Sequence, residues 1–321
     1  MARTVKQHIT GIHHITALAS DARTNLVFYS GVLGLRMIKK TVNFDDPGTY
    51  HLYYGDEGGS PGTIMTFFPY AGLRRGRHGR GMVNTTTFSV PLESLDYWEA
   101  RLKRFDVPFK NAQERLGNEV FMYLEDPEGL GIELVFNDQD GRKPWTEGPV
   151  PAEYAIRGFY SAEIWAAGYE RTGALLTERM DHKLIAESGN RFRFAADDKP
   201  GHYIDILIPS SDMPGLPGHG TVHHIAFSTP DNASQRAMQT RIRAHGLQPT
   251  PIIDRQYFQS VYFREPGGVL FEIATDGPGF EVDESLENLG QSLQLPPQYA
   301  RQRKYLEATL PALSVDINSY V

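Results

Sequence analysis

Two pairs of adjacent histidines are the residues of this sequence best suited to chemistry. His13 and His14 lie in the stretch GIHHITAL, and His223 and His224 lie in the stretch TVHHIAFS. Imidazole nitrogens are common ligands of transition metals. Because the pair occurs twice in closely similar surroundings, the sequence predicts that both copies contribute to one metal site.

The histidine pairs belong to a unit that occurs four times along the chain. Each copy has a β-branched first strand, a helix-like segment, and a turn of the Pro-Gly type before a final apolar strand. The four first strands are GIHHITAL (11–18), GMVNTTTFSV (81–90), IRGFYSAEIWA (156–166) and GTVHHIAFST (220–229). The corresponding turns lie at 60–62, 126–129, 199–201 and 265–268. The pattern predicts an α+β fold of four βαβββ modules paired into two barrel-like domains.

The expected domain boundaries follow these modules. Residues 1–137 hold modules one and two, and residues 154–278 hold modules three and four. The polar stretch 138–153, rich in proline and glycine, is typical of a linker. Residues 279–321 predict a C-terminal helical extension on the outside of the modules, with its helix over 300–313.

Composition excludes several classes of function. The chain of 321 residues has no cysteine, which excludes disulfides, thiolate metal sites and cysteine nucleophiles. Its net charge of −7 gives no general reason to bind nucleic acid or an anionic membrane. No apolar run approaches the roughly 20 residues that cross a bilayer, and residues 1–7 lack the apolar core of a signal peptide. We therefore expect a cytoplasmic protein.

Alignment of the four modules indicates which two of them form the metal site. The first strands align His14, Thr85, Ser161 and His224, and the closing strands align Glu133 with Glu272, with Asp205 nearby and Thr66 and Phe67 in module one. Modules one and two, or three and four, would each supply a single histidine. Modules one and four together supply His14, His224 and Glu272. This set of two histidines and one carboxylate suits Fe(II) or Mn(II), whereas a tetrahedral hydrolytic zinc site would need a nearby base that the sequence does not identify.

Strand geometry predicts which histidine of each pair is the ligand. Side chains alternate between the two faces of a strand. By this count His14 and His224 share a face with small residues suited to line a cleft. His13 and His223 would lie on the opposite face, among apolar residues under the helix, and either orient the site from behind or serve as buried structural histidines.

Three other polar residues lie at or near the aligned positions, and we expect one of them to face the cleft and two to be structural. Tyr262 lies on the strand before that of Glu272, and we expect it to reach into the same cleft. Glu133 and Asp205 have no histidine partners in their own modules, so we interpret them as structural charges. The pairing of modules two and three is accordingly predicted to be a scaffold without a metal.

The fourfold module resembles the vicinal oxygen chelate superfamily, which includes glyoxalase I, fosfomycin and bleomycin resistance proteins, and extradiol ring-cleaving dioxygenases. Within it, the histidine stretches resemble one branch, the hydroquinone 1,2-dioxygenases and related ring-cleaving dioxygenases. Further stretches carry the same resemblance: YHLYYGDEGGSPGTIMTFFP (50–69), REPGGVLFEIATDGPGF (264–280) and LGQSLQLPPQY (289–299).

The resemblance implies an Fe(II)-dependent ring-cleaving dioxygenase with the metal held by His14, His224 and Glu272. It also implies surrounding residues that act on the substrate, namely His13, Thr16, His223, Arg255 and Tyr262. Among these we expect His13 and His223 to serve in catalysis, with a proton exchanged at His223, and Thr16 to contact the substrate. Tyr262 would donate a hydrogen bond to a substrate oxygen, and Arg255 would stabilise an anionic substrate or intermediate. For His13 and His223 the two lines of reasoning disagree: the resemblance implies a role in catalysis, whereas the alternation of side chains along the strands places both on the face away from the cleft.

The implied partners are a small aromatic diphenol and O2, without nucleic acid or membrane, in a chain that could form a homo-oligomer. The alternatives are a metal-dependent glyoxalase-like isomerase or lyase, and a non-catalytic protein that binds an aromatic ligand. An isomerase of this fold needs a fourth ligand, and module one offers only Thr66 and Phe67 at that position. A catechol dioxygenase with its metal in modules three and four would need a histidine where Ser161 stands, although a catechol remains an alternative substrate.

Overall fold

Two curved eight-stranded sheets with few helices make up the fold in a computed structural model, which describes residues 7–321. The predicted absence of a signal peptide concerns residues 1–7, of which all but Gln7 lie outside the described part. Within residues 7–321, no helix has both the length and the apolar composition needed to span a membrane.

All four predicted modules have the order strand, helix and three strands. Module one contains β1 (Ile12–Ala19), α1 (Ala22–Leu26) with a π-helical continuation (Val27–Val32), β2 (Arg36–Asn43), β3 (Asp46–Gly55) and β4 (Ile64–Pro69). Module two contains β5 (Met82–Pro91), α2 (Leu95–Arg104), β6 (Gln113–Arg115), β7 (Glu119–Glu125) and β8 (Gly131–Asn137). Module three contains β9 (Gly158–Trp165), α3 (Glu170–Arg179), β10 (Lys183–Ser188), β11 (Arg191–Ala195) and β12 (Tyr203–Leu207). Module four contains β13 (Thr221–Thr229), α4 (Asn232–Ala244), β14 (Ile253–Asp254), β15 (Phe258–Arg264) and β16 (Leu270–Pro278).

Each sheet combines two modules that are distant in sequence. The first sheet has the strand order β14-β15-β16-β13-β1-β4-β3-β2, so modules one and four meet where β1 pairs antiparallel with β13. The second has the order β10-β11-β12-β9-β5-β8-β7-β6, and modules two and three meet where β5 pairs antiparallel with β9. This arrangement confirms the predicted fold class, with modules one and four together in one sheet.

Local sequence signals explain where the helices of modules one and four begin. The carboxylate of Asp21 accepts a hydrogen bond from the backbone N–H of Thr24 at 2.6 Å, and Asp231 accepts one from Ser234 at 2.6 Å. Such caps satisfy N–H groups that have no partner in the first turn of a helix. After the helical segment of module one, Gly34 has a φ of +74°, a conformation that favours glycine and ends the helix.

Buried carboxylates build the turns before two of the closing strands. Asp126 accepts hydrogen bonds from the backbone N–H groups of Glu128 at 2.8 Å and Leu130 at 2.9 Å. Glu265 does the same in module four, where it accepts from Gly267 and Val269. These turns aim β8 and β16 back along the first strands of their modules, to which they are parallel.

The two faces of β3 show how the sheet separates the core from a concave side. Leu52 and Tyr54 are fully buried in the apolar core. His51 and Tyr53 alternate with them and line a cavity on the opposite face. The sheet therefore presents polar side chains to the cavity without interrupting the core.

The C-terminal segment is less helical than predicted. After β16 it forms one α-helix, α5 (Arg303–Thr309), and four short 3₁₀ segments, Phe280–Val282, Leu286–Asn288, Pro297–Gln302 and Ile317–Tyr320. The helix expected over 300–313 is an α-helix only over α5, and Leu310 is already extended. Pro311 explains the early end, because proline disfavours the helical conformation in the residue before it.

The C-terminal segment lies against module one, along the edge strand β2. The fully buried ammonium group of Lys39 contacts Asp283 and Glu284, each at 2.6 Å. Covering an edge strand in this way removes a surface that would otherwise pair with other chains. The division of the sequence at 137, 153 and 278 stays a prediction.

Candidate functional site

Three buried side chains converge on one point of the first sheet. The Nε2 atoms of His14 and His224 lie 3.2 Å apart, and they lie 3.3 and 2.9 Å from Oε2 of Glu272. All three residues are at most 5% exposed. Within residues 7–321, they form the one group of three or more histidine, aspartate or glutamate side chains with ligand atoms gathered closely enough to hold a metal ion.

The register of three neighbouring strands produces this convergence. His14 of β1 lies opposite Ala226 of β13, and Ala226 lies beside Glu272 of β16. His224 is two residues from Ala226 and therefore shares its face. Ala226 has a small side chain and lies between His14 and Glu272 in the sheet.

The electrostatics of the three groups fit a divalent metal. Burial raises the pKa of Glu272, but His14 and His224 outweigh burial and hold that pKa well below its usual range. Burial lowers the pKa of His224, which favours its neutral imidazole. Oε2 of Glu272 is buried and receives no hydrogen bond of acceptable geometry from the described residues. A deprotonated carboxylate and neutral imidazoles are the forms that bind metals.

The prediction that His13 and His223 lie on the face opposite His14 and His224 was wrong, because each lies at a β-bulge. On β1 the pairing passes from Ile12 to His14 while β13 advances by one residue, which leaves His13 as an extra residue. On β13 the same irregularity leaves His223 extra. Neighbouring side chains at a bulge no longer alternate strictly between faces. His13 therefore contacts His14, and His223 contacts His224, instead of packing under the helices.

Each extra histidine forms a short contact with the histidine that follows it. Nδ1 of His13 lies 2.9 Å from Nδ1 of His14, and Nδ1 of His223 lies 2.8 Å from Nδ1 of His224. If each ligand binds through Nε2, its Nδ1–H donates to the extra histidine, whose remaining hydrogen is then on Nε2. His13 is buried beside Phe258, whereas His223 is exposed and lines the cavity.

A cavity of about 270 Å³ opens beside His14 and His224. Its walls combine histidines, aromatic rings, two aliphatic side chains and a few other polar groups: His14, Leu18, Asn43, Phe44, Asp45, His51, Tyr53, Phe68, Tyr70, His223, His224, Arg255, Phe258, Tyr262 and Leu270. A small, mostly apolar cavity with a few polar groups is typical of a site for a small aromatic molecule.

Arg255 and Tyr262 line the cavity next to His14 and His224, Tyr262 as expected from its strand and Arg255 as the family resemblance implies. Tyr262 is opposite Glu272 in the register of β15 and β16, and its ring centroid is 5.7 Å from that of His224. Nε of Arg255 donates to Oη of Tyr262 at 3.2 Å, and its Nη1 lies 3.1 Å from Asp45. Burial raises the pKa of Tyr262, so its hydroxyl stays protonated.

Thr16 is buried behind the cavity wall and does not line the cavity. Its hydroxyl contacts that of Thr66 at 2.8 Å. It was not predicted from the sequence that His51 and Tyr53 line the cavity. Their alternation with Leu52 and Tyr54 within YHLYYG was the signal that could have identified them.

In the second sheet, arginines accompany the carboxylates at the equivalent positions. Glu133 receives two hydrogen bonds from Arg115, at 2.9 and 2.6 Å. Asp205 receives two from Arg193, at 2.7 and 2.8 Å. These ion pairs agree with the interpretation of both carboxylates as structural charges. The absence of a metal from the second sheet stays a prediction.

Comparisons with known proteins agree with this architecture. The family described as "Glyoxalase/Bleomycin resistance protein/Dioxygenase superfamily" matches residues 11–134 and 163–273. "Putative ring-cleaving dioxygenase MhqO" of Bacillus subtilis (strain 168) is 45% identical over 300 residues, covering 94% of this chain and 95% of the relative. "Chlorohydroquinone/hydroquinone 1,2-dioxygenase" of Sphingobium indicum is 35% identical over 303 residues, covering 91% and 93%.

One solved structure extends the similarity to three dimensions. A "putative dioxygenase" from Bacillus subtilis subsp. subtilis str. 168 is 44% identical, with a TM-score of 0.92 over 97% of this chain and 99% of that chain. The relatives carry the names of ring-cleaving dioxygenases, the branch that the sequence resembles. This chain belongs to the glyoxalase, bleomycin resistance protein and dioxygenase superfamily, whose module it contains four times.

Proposed function

We propose that this chain is an Fe(II)-dependent ring-cleaving dioxygenase that opens a hydroquinone-type aromatic ring with O2, with a catechol-type ring as the alternative substrate. The observation that supports it most directly is the convergence of His14, His224 and Glu272 beside a small cavity. Two histidines and one carboxylate on one face, with other coordination positions open, are the ligand set of non-haem Fe(II) oxygenases.

His14, His224 and Glu272 would hold the metal through Nε2, Nε2 and Oε2, the three atoms that converge. When bound, Fe(II) supplies a Lewis acid that lowers the pKa of a phenol and brings it next to O2. Mn(II) fits the same donor atoms. Ser260 donates a hydrogen bond to Oε1 of Glu272, which fixes the carboxylate with Oε2 towards the histidines.

The cavity residues have complementary tasks in this reaction. His223 lines the cavity, and when its Nδ1 accepts from His224 it would carry a hydrogen on Nε2 that it can exchange with the substrate. The hydroxyl of Tyr262 donates to a substrate oxygen. Arg255 contributes positive charge where the ionised ring and its products carry negative charge. His13 acts on the substrate only through His14, since it does not line the cavity.

The names of the relatives support the substrate class. The Sphingobium indicum relative is named for chlorohydroquinone and hydroquinone, and the Bacillus subtilis relative for ring cleavage. The aromatic side chains Phe44, Phe68 and Phe258 of the cavity suit a flat apolar ring. A fourth protein ligand, as a glyoxalase-like isomerase needs, is absent from the ligand cluster within residues 7–321.

The test is anaerobic reconstitution with Fe(II), followed by oxygen uptake with a panel of hydroquinones and catechols. We expect one O2 consumed per ring and a product with a new absorption band. A protein that binds one metal ion and consumes no O2 with any diphenol would contradict the proposal and favour an isomerase or lyase. Binding of the diphenols without turnover would favour a non-catalytic binding protein.

A further inference from the structure

One wall of the cavity carries two polar side chains that the proposed function does not use. His51 and Tyr53 of β3 line the cavity on the same face of the strand. β4 separates β3 from the ligand strand β1 in the sheet. This wall is therefore distinct from the one formed by Tyr262 and Arg255, which lies beyond the ligands on the β15 side.

A chain of hydrogen bonds runs behind this wall. Oη of Tyr53 lies 2.8 Å from Nδ1 of His51, and Nε2 of His51 lies 2.9 Å from Oγ1 of Thr66. Oγ1 of Thr66 lies 2.8 Å from Oγ1 of Thr16, its direct partner in the register of β1 and β4. The ring of His51 packs between Tyr53 and Phe68, with centroid distances of 4.0 and 4.3 Å. Both nitrogens of His51 are thus engaged and its orientation is fixed.

Counting hydrogens shows that this chain has one more donor than it uses. Three hydroxyls and one neutral imidazole carry four hydrogens, whereas the chain contains three hydrogen bonds. The spare hydrogen is therefore on Thr16, on Tyr53 or on Thr66. Thr16 keeps it if all the bonds run from Tyr53 towards Thr16, and Tyr53 keeps it if they run the other way. Thr66 keeps it if its oxygen accepts from both His51 and Thr16.

Burial decides among the three arrangements. Thr16 and Thr66 are fully buried, and neither hydroxyl has a further acceptor among the described residues, so a spare hydrogen on either would remain unsatisfied. A spare hydrogen on Tyr53 lies at the cavity, where a ligand or water can accept it. The favoured arrangement has Thr16 donating to Thr66, Thr66 donating to Nε2 of His51, and Nδ1–H of His51 donating to Tyr53.

We infer that Tyr53 is a further substrate-binding residue, whose hydroxyl donates a hydrogen bond to a second oxygen of the aromatic substrate, and that His51 is its positioning residue. The inference rests on the proposed function for the first oxygen, which the metal would hold. It favours diphenols with the second oxygen directed away from the metal. It also assigns a role to Thr16, whose hydroxyl is the first donor of the hydrogen-bond chain that orients the Tyr53 hydroxyl.

The test compares Tyr53→Phe with the metal-loaded wild type under anaerobic conditions. The probes are hydroquinone, with two oxygens, and phenol, with one, and calorimetry measures their dissociation constants. Loss of one hydrogen bond should weaken hydroquinone binding roughly 10-fold and leave phenol binding unchanged. Unchanged hydroquinone binding, or an equal loss for both probes, would overturn the inference.

Tyr54→Phe is the matched control, because it removes the hydroxyl of the neighbouring tyrosine, which faces the core and donates to Asn25. It should change neither dissociation constant. His51→Leu tests the positioning role. It should weaken hydroquinone binding about as much as Tyr53→Phe, and the double variant should lose little more than either single one. Additive losses would show that His51 does not act through Tyr53.

The two proposals can fail separately in this design. Wild type that binds hydroquinone but consumes no O2 contradicts ring cleavage, while the comparison with Tyr53→Phe still tests the contact. If the wild type cleaves the ring but Tyr53→Phe binds hydroquinone with an unchanged dissociation constant, only the proposed Tyr53 contact is contradicted. Metal-loaded wild type that fails to bind hydroquinone contradicts both.

Discussion

At the scale of residues, the carboxylates of Glu272 and Glu133 occupy equivalent positions but have different partners. Both occupy the closing strand of a module and are buried. Glu272 points an oxygen without a hydrogen bond at two histidines, whereas Glu133 is held by Arg115. The surroundings of each carboxylate, and not its position in the module, determine its role.

This difference predicts opposite effects of one substitution. Glu272→Gln removes the anionic ligand and should weaken Fe(II) binding by at least about 100-fold, since loss of outer partners alone costs about 10- to 100-fold. Glu133→Gln should leave the metal content at that of the wild type. Metal analysis after anaerobic gel filtration measures both. Metal lost from Glu133→Gln and retained by Glu272→Gln would place the site in the second sheet.

The convergence of His14, His224 and Glu272 could be predicted from the sequence, but the places of the neighbouring histidines could not. Equivalent positions in four modules identify His14, His224 and Glu272 because a repeat fixes which strand each occupies. The bulges at His13 and His223 depend on how β1 and β13 pair, which a count within one strand does not contain. The alternation of side chains along β3 could also have predicted that His51 and Tyr53 lie on the cavity side of the sheet.

At the scale of elements, the turn of module two depends on a buried carboxylate. Burial raises the pKa of Asp126 to about 6, although backbone N–H groups and Tyr29 hydrogen-bond to it. Its folded pKa therefore exceeds its value of 3.8 in the unfolded chain. Between these two values the folded protein binds more protons than the unfolded one, so this group stabilises the fold as the pH falls from about 6 to about 4.

Asp126→Asn should abolish this pH dependence. The free energy of unfolding of the wild type, relative to that of Asp126→Asn, should increase on acidification by an amount on the order of 2 kcal/mol. Urea unfolding of both proteins at several pH values between about 4 and 7 measures it. A constant difference across this range would show that burial does not perturb the carboxyl group.

The elements themselves were largely predictable, with one informative exception. Caps, glycines and turns mark the modules because they act over a few residues. The C-terminal segment was misjudged as a longer helix, since its apolar residues Leu306 and Leu310 pack against module one through a short helix and an extended stretch. Tertiary packing, which a local pattern does not report, determines its form.

At the scale of the whole molecule, the sequence halves are interleaved in space. β1 of the first half pairs with β13 of the second, and β5 of the first half pairs with β9 of the second. Each half thus contributes one half of each sheet. We predict that residues 1–137 expressed alone do not form a stable fold, because the edges of β1 and β5 would be unpaired and their apolar faces incompletely covered.

Coexpression of residues 1–137 with residues 138–321 should restore the molecule, because the two segments then supply every strand pair. We expect the pair to copurify, to show the circular dichroism spectrum of the intact chain, and to bind one Fe(II) per complex. Residues 1–137 alone should show little cooperative unfolding and no tight metal binding, since they contain only His14 of the three ligands. A cooperatively folded monomer of residues 1–137 would instead show that modules one and two form a domain of their own, and that pairing with module four is needed for the metal alone.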